Sequence, residues 1–117
     1  MRLNGKRVFL VEDDVLLLMS LQDMVCGFGC VIADHAMAVE PALEIAREVL
    51  IDLAVLDVNL KGQLVTPVAD LLARRAIPFV FATGYDSEIL PAMSDRPRVR
   101  KPYTADQIRT AMVAALA

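Results

Sequence analysis

Residues 8–14 read VFLVEDD, an apolar run of strand length that stops on three consecutive carboxylates. Apolar side chains at successive positions fit a strand covered on both faces, whereas a strand with one solvent face alternates apolar and polar. The carboxylates therefore mark where this strand leaves the interior. Outward along the chain the pattern recurs: residues 53–60, LAVLDVNL, leave a second apolar run at Asp57, and residues 78–84, PFVFATG, leave a third at Thr83. Amphipathic stretches of helical length lie between such runs. This alternation is that of parallel strands joined by crossover helices.

The expected elements follow. The first strand covers Arg7 to Glu12, and Asp13-Asp14 start and cap a helix running to about Phe28, where Gly27 and Gly29 supply stop signals. Cys30 to Ala36 forms the second strand and Ala38 to Leu50 the second helix, with Pro41 tolerated in its first turn. The third strand is Leu53 to Asp57. A loop at Asn59 to Gln63, containing Gly62, leads to a helix from about Pro67 to Arg75, and Phe79 to Ala82 is the fourth strand. Pro91 and Pro97 leave room for only a shortened or irregular fourth helix after Gly84. Arg98 to Arg100 is a brief fifth strand. Thr104 then caps a last helix to about Leu116, with Ile108, Met112, Val113 and Leu116 on one face.

With 117 residues, 56% hydrophobic and 23% charged, the chain matches a single domain spanning 1–117, with no room for an output domain beside it. Fifteen acidic against twelve basic residues give a net charge of -3 without a long basic patch, which argues against direct nucleic-acid binding. Apolar runs fall far short of the roughly 20 residues that span a bilayer, and the N-terminus lacks a signal-peptide pattern, so no membrane association and a cytoplasmic location are expected. Cys26 and Cys30 lack the further ligands a zinc site needs and are expected as reduced, partly buried thiols. His35 reads as a loop histidine, and Arg74, Arg75, Arg96, Arg98 and Arg100 as solvated side chains.

In such an alternation, ligands bind at the carboxyl ends of the strands. Glu12, Asp13, Asp57, Thr83 and Lys101 all fall there. Clustered carboxylates repel, and a hard cation removes that repulsion; an all-oxygen donor set suits Mg²⁺ or Mn²⁺. Asp13 and Asp57 are expected as direct ligands, Glu12 as a mainly water-mediated one, and Asn59 as a donor through its backbone carbonyl. One divalent ion and Lys101 balance three carboxylates, leaving a pocket able to receive a phosphoryl group. Asp57 is then the nucleophile that becomes an aspartyl phosphate, with Thr83 and Lys101 holding phosphoryl oxygens. Taken singly, each of these residues also fits an ordinary cap, turn or loop; together, in this order, they do not.

The segments VFLVEDD, LAVLDVNL and PFVFATG and the pair Lys101-Pro102 resemble the response-regulator receiver domains of two-component signalling over nearly the whole chain. The run Pro78 to Tyr85 resembles more narrowly the single-domain FAT GUY receivers of alphaproteobacteria. The resemblance implies a flavodoxin-like (βα)5 fold with a five-stranded parallel sheet of order 2-1-3-4-5 and helices on both faces. It further implies phosphotransfer from a histidine kinase or histidine phosphotransfer protein onto Asp57. It implies turnover limited to self-catalysed phosphorylation and hydrolysis of the aspartyl phosphate, so the chain is not expected to be an enzyme on other substrates. A stand-alone chain of this kind acts by protein contacts, as a phosphorelay intermediate, a phosphate sink or an allosteric regulator, as a monomer or weak dimer.

Two departures stand out. The family's usual aromatic three positions before the lysine is Arg98 here, and Tyr85, two residues after Thr83, is the candidate replacement for that switch. On the first helix, taking Leu17 as core-facing puts Leu21, Met24 and Phe28 on the same stripe and leaves Val15 and Met19 opposite, with Leu16 on the flank. Since the resemblance places partner docking on this helix and the loop after the fifth strand, Val15, Leu16, Met19, Pro102 and Tyr103 are the expected contacts. Two alternatives compete. A haloacid-dehalogenase-like phosphatase needs an aspartate two residues after the nucleophile, where Asn59 stands; a receiver-like interaction module without phosphorylation has no use for the intact acidic set.

Overall fold

Runs such as Leu53-Ala54-Val55-Leu56 have no polar side chain to turn outward, so they form strands only where both faces are covered. The computed structural model, which describes residues 2–84 and 95–117, places three such strands at the centre of a five-stranded parallel sheet whose two edge strands carry exposed polar side chains. The five strands are β1 (Arg7–Val11), β2 (Val31–Ala36), β3 (Leu53–Asp57), β6 (Phe79–Thr83) and β7 (Arg98–Arg100), in the order β2-β1-β3-β6-β7. A two-stranded hairpin, β4 (Asn59–Leu60) with β5 (Gln63–Leu64), follows β3. The helices are α1 (Val15–Gly27), α2 (Val39–Glu48), α3 (Thr66–Arg74) and α4 (Ala105–Leu116). Tyr85 and the short helix expected after Gly84 lie outside the described residues.

The pleat divides each strand between two apolar layers. Phe9, Val11, Ala54, Leu56, Phe79 and Phe81 join residues of α2 and α3 and the hairpin residue Leu60 in one layer. Val8, Leu10, Leu53, Val55, Val80, Ala82 and Val99 join residues of α1 and α4 in the other. Full burial of a large side chain contributes about 1.5–3 kcal/mol, so Phe9, Phe79 and Phe81, all at 2% exposure or less, are major contributors. Phe79 and Phe81 meet edge to face with ring centroids 5.4 Å apart.

The phase of α1 differs from the sequence expectation. Leu18, Leu21 and Val25 face the core, whereas Leu17 is 41% exposed. The run Val15 to Met19 is apolar all round and sets no phase by itself; the row Leu18, Leu21 and Val25 packs into the core, and the Asp14 cap fixes where the helix starts. Its Oδ1 accepts hydrogen bonds from the backbone N–H groups of Leu16 and Leu17, at 2.9 and 3.2 Å, which fixes the first turn.

The residues after Asp57 also depart from the expected loop. Lys61 and Gly62 form a two-residue turn with φ of 52° and 89°, the left-handed pair that suits the twist of a tight hairpin. Two arginines expected in solvent are engaged. Arg75 donates to the carbonyls of Ala46 and Val49 at the end of α2, and the Arg96 guanidinium lies 4.4 Å from the centre of the Phe79 ring. His35 sits on β2 rather than in a loop, with its side chain exposed. Cys30 is buried and donates to the Leu3 carbonyl; Cys26 is exposed, and both are free thiols. No helix among the described residues is long and apolar enough to cross a membrane.

Candidate functional site

Sheet register brings four distant segments to one rim. Val11 pairs with Leu56, so Glu12 emerges beside Asp57; Asp57 pairs with Ala82, one residue before Thr83; Thr83 pairs with Arg100, one residue before Lys101. The backbone N–H of Lys101 donates to the Thr83 carbonyl at 2.8 Å, extending the ladder into the site. The site is thus assembled by strand ends.

One oxygen from each of Glu12, Asp13 and Asp57 lies within 4.8 Å of the others. Lys101 Nζ is 2.7 Å from Glu12 Oε1 and 2.9 Å from Asp57 Oδ2, so one ammonium serves two buried carboxylates. The remaining oxygens receive backbone donors. The N–H of Asp14 donates to Glu12 Oε2 at 3.1 Å, that of Asn59 to Asp57 Oδ1 at 3.3 Å, and that of Lys61 to Asp13 Oδ2 at 2.8 Å. Thr83 is buried, and its hydroxyl donates to the Val99 carbonyl at 3.3 Å, which points it toward β7.

These surroundings perturb three groups. Burial pushes the Glu12 carboxyl up from 4.5 to about 7; the Lys101 and Asp14 hydrogen bonds oppose the rise and the Asp57 charge adds to it. For Lys101, burial is the largest influence and disfavours the ammonium, but hydrogen bonds and charge attraction from Glu12 and Asp57 together outweigh it and hold its pKa above 10.5. Burial pushes the Tyr103 phenol up to about 12, with the Glu12 charge adding to the effect.

With all three carboxyls ionised, one ammonium leaves an excess of two negative charges, and every donor atom is an oxygen. This is the donor set of a hard divalent cation. Glu12, Asp13 and Asp57 could hold such an ion, and the Asn59 carbonyl lies on the strand that follows.

Of the other expected residues, Val15, Leu16 and Met19 are 53%, 73% and 56% exposed, and Leu17 joins them. Pro102 is exposed. Tyr103 is half-buried and packs against the α1/α4 layer. Arg98 is exposed, opposite Phe81. The reading from sequence missed the hairpin amides that hold Asp57 and Asp13, because Lys61-Gly62 is a weaker hairpin signal than Asn-Gly or Asp-Gly.

No protein-family model matches the chain, and no curated protein does. Solved structures match it closely. SdrG from Sphingomonas melonis Fr1 is 38% identical with all of both chains covered and a TM-score of 0.88. A structure described as the BeF3-activated conformation of SdrG, from Pseudomonas melonis Fr1, is 39% identical over 97% of this chain and 98% of the other, with a TM-score of 0.81. The Erythrobacter litoralis PhyR response regulator REC domain is 29% identical over 99% of this chain and 93% of the other, with a TM-score of 0.82.

Proposed function

The chain belongs to the response-regulator receiver family, and from that premise we propose that it accepts a phosphoryl group on Asp57 from a phosphohistidine donor and signals through protein contacts. The observation that carries this reading is the single lysine bound to both Glu12 and Asp57, with Asp13 completing an acidic trio that could hold a metal ion. Such a lysine is placed to exchange a carboxylate for a phosphoryl oxygen. A Mg²⁺ or Mn²⁺ ion held by Glu12, Asp13, Asp57 and the Asn59 carbonyl supplies charge stabilisation to the phosphoryl oxygens when bound.

The chain's own residues do the rest. A carboxylate oxygen of Asp57 attacks phosphorus as the bond from phosphorus to the donor imidazole breaks, and the imidazole nitrogen keeps that bond's electron pair. Lys101 Nζ, freed from Asp57 Oδ2, moves to a phosphoryl oxygen. Thr83 must give up the Val99 carbonyl before its hydroxyl can do the same, so phosphorylation pulls on β6 and β7 together. Hydrolysis of the acyl phosphate by water resets the site, and no separate substrate is turned over.

The donor is a histidine kinase or histidine phosphotransfer protein in the cytoplasm. The exposed Val15, Leu16, Leu17 and Met19 beside the acidic trio supply an apolar docking face on α1 for a helical donor. Beryllofluoride with Mg²⁺ tests the acceptor role. Amide NMR shifts of Asp57, Thr83 and Lys101 should move on its addition and stay fixed in Asp57→Asn; unmoved shifts in the unaltered chain reject the reading. Phosphotransfer profiling with radiolabelled kinases identifies the donor, and transfer back to a phosphotransfer protein separates a relay from a sink.

A further inference from the structure

The hairpin after Asp57 is anchored at its base and braced at its tip. Val65 N–H donates to the Val58 carbonyl at 2.9 Å, and Leu60 and Val65 are buried in the α2/α3 layer. At the tip, the Asn59 side-chain oxygen accepts from Gly62 N–H at 2.7 Å, locking the left-handed turn. This braced unit presents two amides to the site: Asn59 N–H to Asp57 Oδ1 and Lys61 N–H to Asp13 Oδ2. The Asp13 carboxylate is itself only partly buried and follows the end of β1, so the Lys61 amide is the contact that ties it to the β3 side of the site.

We infer that the β4–β5 hairpin is a positioning element of the cation site, orienting Asp13 through the Lys61 amide, and that the Asn59 side chain acts at one remove by holding the turn. The inference rests on the acceptor reading above and adds residues to it. Asp13 supplies one oxygen to the acidic trio, and an amide on its carboxylate is the kind of outer contact whose loss typically weakens metal binding about 10–100-fold. A turn that slackens therefore weakens the ion without removing a ligand.

The test compares Mg²⁺ affinity, by titration calorimetry and amide NMR, in the unaltered chain, Asn59→Ala, Lys61→Pro and Gln63→Ala. Asn59→Ala keeps the backbone carbonyl and the net charge but removes the turn's brace. Lys61→Pro removes the N–H and a turn that φ of +52° denies to proline. Both should weaken Mg²⁺ by about tenfold, with shifts outside residues 12–14 and 57–66 retained, while Gln63→Ala, an exposed hairpin side chain, binds as the unaltered chain does. Losing the Lys61 cation alone would tighten Mg²⁺, so weakening has the sign of a lost amide. A metal-free arm measures hydrogen exchange of the Lys61 amide, which should quicken about tenfold in Asp13→Ala. Folded Asn59→Ala and Lys61→Pro with unaltered Mg²⁺ affinity overturn the inference, as does unchanged Lys61 exchange. If the unaltered chain fails to bind Mg²⁺, the acceptor reading falls with it, while the exchange arm still reports on the Asp13 contact.

Discussion

Glu12 should make the metal-free protein lose stability as pH rises from about 4.5 to about 7. Folded Glu12 keeps its proton up to about pH 7, whereas the unfolded chain releases it near 4.5, so between these values the folded state binds more protons. Stability contributed by the protonated carboxyl is then fully present below about 4.5 and gone above about 7. At about 1.4 kcal/mol per pH unit, the rise from 4.5 to about 7 sets a ceiling of about 3–4 kcal/mol, and relaxation of the Lys101 contact makes about 1–3 kcal/mol the expected loss. The assay is urea unfolding at pH 5 and pH 8 in chelator, comparing the unaltered chain with Glu12→Gln. The amide introduced by Glu12→Gln cannot ionise, so the variant's stability should fall less over this range by that amount. Saturating Mg²⁺ should restore stability at pH 8 in the unaltered chain, because a cation favours the ionised carboxylate. Equal pH dependence of the two proteins in chelator refutes the reasoning, since burial of Glu12 would then carry no proton linkage.

Three further outcomes follow from other parts of the structure. Lys101→Met should bind Mg²⁺ several-fold more tightly, because the ammonium competes for Glu12 and Asp57, yet accept phosphate poorly; calorimetry and phosphotransfer measure the two effects. Leu16→Glu should weaken donor docking and slow transfer while stability changes by less than about 0.5 kcal/mol, since the residue is 73% exposed. Thr104→Ala breaks a reciprocal cap, in which Thr104 Oγ1 accepts from Gln107 N–H and the Gln107 side chain accepts from Thr104 N–H. Denaturant unfolding should show a loss of about 1 kcal/mol.

The centre of the sheet was legible because strands buried on both faces carry no polar residue until they end, so Glu12, Asp57 and Thr83 announce both the boundary and the rim, whereas Lys101 follows an edge strand, Arg98 to Arg100, whose own polar residues give no such signal. The site followed from the sheet. The phase of α1 was not legible in its first turns, because Val15 to Met19 is apolar at every position and packing of Leu18 with Leu21 and Val25 on the sheet decides which leucine turns inward. The hairpin was hidden for another reason: its turn is Lys-Gly, and its strands are two residues each, too short for alternation to register. The roles of Arg75 and Arg96 depend on carbonyls and a ring supplied by distant segments, which local composition does not encode.

The two apolar layers bear on the rim above them. By strand alternation, Asp57 continues the row of Leu53 and Val55, over α1 and α4, while Thr83 continues that of Phe79 and Phe81, over α2 and α3. Glu12 and Lys101 extend the rows of Leu10 and Val99, on the Asp57 side. The ion-paired groups and the hydroxyl are thus mounted on opposite sides of a shared wall, and a phosphoryl group that engages both straddles its top edge. On the proposed acceptor role, substitutions beneath Asp57 and beneath Thr83 should form two separate genetic neighbourhoods, the first altering how readily phosphate is received and the second how its arrival is felt.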